Sequence, residues 1–334
     1  MALPTWTPTY PNQANQTGDV NALIIEEFTG IVEHTIKRKQ VLAPFIPMRS
    51  VRGTNTLTNY AVGATGLGKV TSGQEPDKTT GPDISRNFLV VDTHIYARNP
   101  INVLEVFQST IDIRREIAVE HGETLSKFTD NSFFIQAIKA ARATQSSYSL
   151  GTAGKPGGFG VGNVETLAAP ADALDGTKLY KAISNLCVRM EAQDVQPNLD
   201  NMVLALIPSA FYALLDAEQI INGNYVTADG TSVSGMVFKA FGVPVVKSNN
   251  IPTTQVTGHL LSNTANGNAY DGDFRGVVGV LLSPKALMAG ETIPLQSDLF
   301  YDKLRKSWYV DSERAFGVTP NRNEYAGVIQ FTPA

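Results

Sequence analysis

The sequence predicts a mixed α+β protein organised around one very long helix, and three observations lead there. From Asn102 to about Thr144 the chain holds no proline and a single glycine, Gly122, directly after the turn signal Asn99-Pro100. That predicts a helix of roughly thirty residues or more, on the order of 50 Å long. Two stretches, Val51 to Val62 and Phe88 to Ala97, alternate in the manner of strands on either side of a glycine-rich, polar segment. From Pro170 onward, helical and strand-like segments follow one another closely, and no internal repeat is visible.

The long helix has one apolar row, Ile117, His121, Leu125, Phe128, Ile135 and Ile138, at steps that include the three and four of an amphipathic helix. Its other face mixes signs: Arg114, Arg115, Glu116, Glu120, Glu123 and Lys127, with Glu123 and Lys127 spaced as a favourable pair. Such a face is either solvated or made for a neighbouring subunit.

Bulk properties narrow the function. With 334 residues, 43% of them hydrophobic, the chain can bury the core of two domains or of one elaborated one. A net charge of -4 and a pI near 5.6 argue against a global pull towards nucleic acid or anionic membrane, so contact with DNA is expected to be local. The single cysteine, Cys187, lies in an apolar helical pattern and reads as a buried, inert thiol. The first residues lack the basic start and apolar core of a signal peptide, and no run reaches the about eighteen apolar residues of a membrane span. Residence in a cytoplasm and no membrane partner are the expectation.

Taken in order, Met1 to Gly18 is rich in Pro, Thr, Asn and Gln and reads as an extended arm; Asp19 then opens a short amphipathic helix that ends before Val41. The segment between the two alternating stretches, Gly63 to Arg86, is nearly empty of large apolar side chains. A loop this long is functional or disordered, and two strands carrying it make an extended hairpin that the rest of the chain does not easily cover. Ser146 to Ala169 reads as loop, Pro170 to Glu191 as helix, Met202 to Ile207 as a buried strand, and Pro208 to Leu215 as a helix with proline in its first turn. Gly276 to Leu282 is a further buried strand, Ser283-Pro284 opens a short helix, and Leu299 to Leu304, Ser307 to Asp311 and Gly327 to Phe331 are strand-like.

No catalytic constellation emerges. Gly63 to Val70 nearly fits a phosphate loop, yet Val70 stands where a hydroxyl should hold magnesium, and no helix can start promptly after it. Gly157 to Gly162 hints at a dinucleotide loop without the required strand and helix. The four histidines, His34, His94, His121 and His259, have no metal-ligand spacing, and Asp271-Gly272-Asp273 lacks the remaining ligands of a calcium loop. Nor is aromatic and basic interleaving of the single-strand-binding kind evident. No catalytic residue, cofactor or metal is expected.

The order of parts, with Ile111 to Glu116 and Gly122 to Leu125 in the helix, Gly242 to Val246 with Ser248 to Pro252, and Phe316-Gly317-Val318, resembles the major capsid proteins of tailed bacteriophages, the Hong Kong 97 type of fold. Within them it is similar to those of short-tailed podoviruses of the coliphage T-seven-like group. The resemblance implies an N-terminal arm over residues 1–50, an extended loop (a long β-hairpin) over 51–98, a peripheral domain with spine helix and following loop over 99–169, an axial domain over 170–319, and a return strand to the peripheral domain over 320–334. It implies self-assembly into the icosahedral shell of a virion, put together in the bacterial host's cytoplasm around double-stranded DNA. Partners would be other copies of the chain in hexamers and pentamers, a separate scaffolding protein, a portal, cement proteins, and packaged DNA held non-specifically at the inner surface.

Subunit-interface candidates are then Trp6 and Tyr10 in the arm, Gly68, Lys69, Glu75, Asp77, Lys78 and Arg86 in the loop, and Arg114, Arg115, Glu123 and Lys127 on the helix. Lys69 and Lys78 would be the donors for an isopeptide cross-link of the kind some relatives form, but no acceptor or catalytic glutamate is identifiable. Encapsulin-like compartment shells share the implied fold and are the near alternative; a cytosolic enzyme is the distant one.

Overall fold

The computed structural model describes residues 41–42, 45–63, 67–75, 84–103, 113–148, 159–216 and 239–333. In chain order the strands are β1 (Met48–Ser50), β2 (Thr56–Val62), β3 (Ile84–Val90), β4 (Ile95–Asn102), β5 (Asn163–Leu167), β6 (Val203–Leu206), β7 (Lys239–Ala240), β8 (Val243–Lys247), β9 (Gln255–Val256), β10 (Gly272–Asp273), β11 (Val277–Leu282), β12 (Leu287–Asp302), β13 (Ser307–Pro320) and β14 (Ala326–Phe331). The helices are α1 (Ile113–Arg142), α2 (Gly176–Glu191) and α3 (Pro208–Leu215). The chain divides into two compact units, one taking residues 94–126 and 293–314, the other 40–93, 127–292 and 315–334.

The larger unit is built on a six-stranded mixed sheet in the order β5-β14-β11-β6-β8-β7. β6 (VLAL) and β11 (VVGVLL) are buried along their whole length, so both faces are covered and the strands read as unbroken apolar runs. α2 lies against β5 and β14, burying Leu179, Ala182, Ile183, Leu186, Cys187 and Met190 at the three-four spacing of one helix face. Asp175 caps it by accepting from Thr177 N at 3.0 Å and Lys178 N at 3.2 Å. Burial pushes the Cys187 thiol up to about 11, as expected of an inert core cysteine.

The second half of α1 departs from the predicted single apolar stripe. Phe133, Phe134, Ile135, Ala137, Ile138, Ala140 and Ala141 are all buried, so this half is enclosed on every side. Its polar residues are enclosed with it and are satisfied there. Ser132 Oγ donates to Phe128 O at 2.8 Å, Gln136 Nε2 to Ala269 O at 3.0 Å, and Arg142 Nε to Gln330 Oε1 at 2.9 Å. Asp130 accepts from Val41 N at 2.8 Å, Leu42 N at 3.4 Å and Asn250 Nδ2 at 3.0 Å. It thereby pins the chain where the described residues begin, although burial pushes its pKa up.

Other elements also differ from expectation. The predicted strand Phe88 to Ala97 is two strands, because β3 ends at Val90 and β4 starts at Ile95. Asn99-Pro100 does not start the helix but lies inside β4, with Pro100 opposite Tyr309; β4 is the sheet edge, the place where a residue without an N–H is tolerated. Residues 163–167, read as loop, form edge strand β5, parallel to β14. Residues 170–174 make a 3₁₀ turn ahead of α2. The two closing strands are far longer than predicted, 16 and 14 residues, for β12 and β13. β14 pairs with β11 and β5, so the strand expected to return elsewhere after residue 320 lies in the same sheet as strands of the 170–319 segment. The early amphipathic helix and the arm fall outside the described residues.

In the smaller unit, β4 runs antiparallel to the first half of β13, from Ile95 opposite Arg314 to Asn102 opposite Ser307, and β12 flanks β13. His121 is buried among them, with Nδ1 3.3 Å from Ser312 Oγ and Nε2 3.2 Å from Asn99 Oδ1. In the larger unit His259 is stacked between the rings of Phe128 (4.9 Å) and Tyr270 (5.2 Å). Its Nδ1 accepts from Leu261 N at 3.2 Å, and Nε2 faces Ser132 Oγ at 3.5 Å.

Both imidazoles are held neutral: desolvation lowers their pKa, opposed more weakly by Asp311 and Glu120 around His121 and by Asp271 around His259. A folded-state pKa below the unfolded value means that the unfolded chain takes the proton first. The stability these residues support is therefore complete above about pH 6.5 and is lost as pH falls below it. Asp130 and Asp298, whose pKa values burial raises from 3.8, act with the opposite sign at lower pH. The melting temperature should drop between neutral and mildly acidic pH, and His259→Phe should flatten that slope in calorimetric scans; an unchanged slope would contradict the assignment.

Candidate assembly surface

The β2/β3 hairpin pairs Thr56 with Val90 through Val62 with Ile84 without interruption. Directly paired residues share a face, so Leu57, Leu89, Asn59, Asn87, Ala61 and Ser85 form one side, and Thr58, Phe88, Tyr60, Arg86, Val62 and Ile84 the other. The first side is inward. Leu89 and Ala61 are buried, Ala61 beside Tyr148 and Phe159. Asn87 Nδ2 donates to Pro320 O at 2.8 Å, and Asn59 Nδ2 to Asn321 Oδ1 at 3.4 Å. Leu57 and Leu89 sit close on Gly290, and Leu89 on Gly317, where a Cβ would come within 3.0 to 3.1 Å of its nearest neighbour. The root of the hairpin is thus packed, which the polar loop composition did not foretell.

The second side is open. Tyr60 and Ile84 are each 72% exposed, with Val62 and Phe88 also out, and beyond them Leu67 and Val70 in the tip. Exposed large apolar side chains on the water-facing side of a ribbon make it a candidate interaction surface. A second apolar set lies on the larger unit: Leu174, Val188, Leu199, Tyr212 and Phe241. Phe241 occupies the two-residue turn between β7 and β8 at φ 52°, its ring 4.7 Å from that of Tyr180 and tilted to it by 30°. A bulky side chain in the left-handed region is strained, which singles this aromatic out.

The residues chosen from sequence fall partly on this surface. Arg86 is exposed on the open side, opposite Tyr60, and Gly68, Lys69 and Glu75 are exposed in the tip. Trp6, Tyr10, Asp77 and Lys78 lie outside the described residues, as do the side chains of Arg114 and Arg115 on α1. Glu123 is half-buried and Lys127 exposed. Apart from Trp6, Tyr10 and Gly68 the residues chosen from sequence are charged, and they do not include Tyr60, Val62, Ile84 or Phe88; the signal available for these was large apolar residues on both alternating faces of a strand.

Motifs that suggested chemistry have structural roles. Asp271 accepts from Gly258 N, His259 N and Ser262 Oγ at 2.7 to 3.0 Å, and Asp273 holds Arg275 at 2.7 Å. Gly162 admits the end of α1, for a Cβ there would lie 2.2 Å from Ala141 O. Among the described residues no group of three His, Cys, Asp or Glu is placed to hold a metal.

Solved structures define the class. The chain is similar to the asymmetric unit of the mature capsid of bacteriophage PhiM1, with TM-score 0.72 and 22% identity over 88% of each chain. It is similar to the capsid of cyanophage P-SCSP1u, with TM-score 0.69 and 17% identity over 86% of this chain and 87% of that one. A virus-like particle from Pyrococcus furiosus gives TM-score 0.51 and 12% identity over 92% and 99%. The fold is that of phage capsids. The model of the family described as phage capsid protein matches residues 104–330, and the chain belongs to that family. No curated protein matches it.

Proposed function

We propose that the chain is the major capsid protein of a tailed bacteriophage, of the short-tailed T-seven-like kind, whose copies close into an icosahedral shell around double-stranded DNA. The observation that carries this reading is the family match over 104–330, joined to a hairpin with one packed side and one open apolar side. In this reading residues 1–50 are the arm, 51–98 the extended loop, 99–169 the peripheral domain with α1 as its spine, 170–319 the axial domain, and 320–334 the return strand, which pairs with β5 of the 99–169 segment as well as with β11. The open side of the hairpin, with Arg86, Lys69 and Glu75, lies on a neighbouring copy, since repeated modest contacts between identical subunits build closed assemblies. Trp6, Tyr10, Asp77, Lys78, Arg114, Arg115, Glu123 and Lys127 are assigned to the same contacts. The protein works without catalysis, in the virion, after assembly in the host cytoplasm with scaffolding and portal proteins. No observation favours a compartment shell over a phage capsid.

Electron microscopy of the purified chain mixed with its scaffolding protein should show closed shells, irregular shells or tubes. A single monomeric species in analytical ultracentrifugation under the same conditions would refute the proposal. The shells are expected to be held non-covalently, because the sequence offers no identifiable acceptor or catalytic glutamate for a cross-link from Lys69 or Lys78. Boiling particles in SDS should release monomers only, and a ladder of covalent oligomers would contradict this.

A further inference from the structure

A row of charged side chains crosses three strands of the smaller unit. The ring pairs of Phe300 with Tyr309 and of Tyr301 with Trp308, each at 5.2 Å, and the approach of Ser297 Oγ to Ser312 Oγ at 3.2 Å set the register of β12 on β13. The same register puts Asp298 opposite Asp311, and Asp311 in turn is opposite Arg98 of β4. Two carboxylates thus face each other directly, where like charges destabilise a strand pair. The next row on that face is Gln296, Glu313 and Tyr96, with Gln296 Nε2 donating to Glu313 Oε1.

Arg98 compensates only part of this. Its Nε donates to Asp311 Oδ2 at 3.0 Å, and its Nη2 donates to the same oxygen. Asp311 is 9% exposed, and its other oxygen, Oδ1, is buried without a hydrogen-bond partner, which leaves the desolvation cost of an unmade bond. Nearby, His94 Nε2 lies 3.0 Å from Glu313 Oε2. On the opposite face of the sheet, His121 of α1 approaches Ser312 and Asn99, with Asp311 and Glu120 as the charges acting on it. Two ionised acids against one guanidinium leave an excess negative charge in the row, and a single proton removes it.

Asp298 keeps an exposed edge, yet desolvation, and then the charges of Asp311 and Glu313, push its pKa above the ordinary 3.8, against the hydrogen bond from Leu299 N. A protonated Asp298 is the donor that Oδ1 of Asp311 lacks, and directly opposed side chains, with Cβ atoms about 5 Å apart, are within reach of one another. We infer that Asp298 and Asp311 are a proton-sharing carboxylate pair that locks the β12/β13 ribbon in acidic solution and releases it towards neutrality. One proton from solvent is held on Asp298 and donated to Asp311 Oδ1, while Arg98 keeps Oδ2; no bond between heavy atoms forms or breaks. The folded chain takes this proton before the unfolded one, so the stabilisation is complete below about pH 3.8 and is lost as pH rises through the raised value. Both residues lie in one subunit, so the inference stands whether or not copies assemble.

The test is hydrogen–deuterium exchange of the full-length chain, read on peptides covering 294–314 in parent, D298N and D298A, at neutral pD and at an acidic pD near the ordinary aspartate pKa. Rates are compared as ratios between chains at one pD, which removes the intrinsic pH dependence of exchange. Asparagine places an N–H donor opposite Oδ1 at every pH, whereas alanine only removes the charge. At neutral pD, D298N should exchange about threefold to tenfold more slowly than the parent, the effect of one net hydrogen bond on local opening, with D298A between them. At acidic pD the parent and D298N should match while D298A exchanges faster. A ratio of parent to D298N that is the same at both pD values would overturn the inference, and so would a parent as fast as D298A in acid. If D298N lowers the melting temperature at acidic pH, the parent carries the test alone: with 13C-labelled aspartate, the carboxyl signal absent from D298A should titrate above 3.8 and move together with that of Asp311. Independent titration of the two carboxyl groups, with Asp298 at its ordinary value, would refute the pairing.

Discussion

Replacing Tyr60 and Phe88 together by serine is expected to abolish closed shells while leaving the isolated chain's melting temperature within a few degrees of the parent. Both rings stand on the open side of the hairpin and contribute little to any core within the chain. Burying each against a neighbour removes enough apolar area for about 2 kcal/mol, so the pair accounts for about 4 kcal/mol per contact, close to a thousandfold in association. That deficit recurs at every subunit of a shell. Sedimentation and electron microscopy across a concentration series would show the threshold for assembly rising beyond reach. The opposite side supplies the control: Leu89→Ser should lower the melting temperature first, because Leu89 is buried against Gly317 and Gly290. Normal shells from the Tyr60/Phe88 variant at parental concentrations would remove the hairpin from the assembly surface.

Substituting Gly162 by alanine should produce a large loss of stability for a single methyl group. The added Cβ would lie 2.2 Å from Ala141 O and 2.3 Å from Ala140 O. These are backbone atoms at the end of α1 and cannot rotate aside as a side chain would. Gly162 N also donates to Ala143 O at 2.9 Å, so relieving the clash stretches that bond and shifts β5, which pairs with β14 from Asn163 onward. Overpacking that forces backbone to move costs about 3 kcal/mol, or roughly 6 to 12 °C of melting temperature for a unit of this size. Gly53, with nothing within 4 Å of its missing Cβ but φ at 74°, offers a comparison in which only backbone strain is introduced. Equal melting of Gly162→Ala and parent in calorimetry would contradict the packing described.

Legibility in the sequence followed the physics of each element. α2, β6, α3 and β11 were readable because each has its own periodicity or an unbroken apolar run, bounded by Pro170, Pro208 or Ser283, although α2 itself begins only after the cap Asp175. The long closing strands were not, because β12 and β13 switch from buried to half-exposed along their length, and neither alternation nor a continuous run persists. Proline misled at Pro100, whose place at a sheet edge is set by strand order and not by local sequence. The second half of α1 hid its enclosure because Ser132, Gln136 and Lys139 look like a solvated face until Phe128 O and Ala269 O appear as their partners. At the surface, charge drew the eye to Lys69 and Glu75. The apolar members of the open face could be separated from core residues only once the hairpin register was known.

The enclosure of that helical half bears on how the chain exchanges its amide hydrogens with solvent. Residues 133–138 and 140–141 are surrounded by side chains on every side, so their N–H groups meet deuterated water only when the larger unit opens as a whole. Their protection then reports the unit's global unfolding free energy, whereas the amides of β2 and β3 report local fraying of a two-stranded ribbon. A single labelling time course thus separates the intrinsic stability of the subunit from whatever extra protection a neighbour confers on the hairpin, and the difference between free chain and particle, read at Tyr60 against Ile138, measures assembly in the same units as folding.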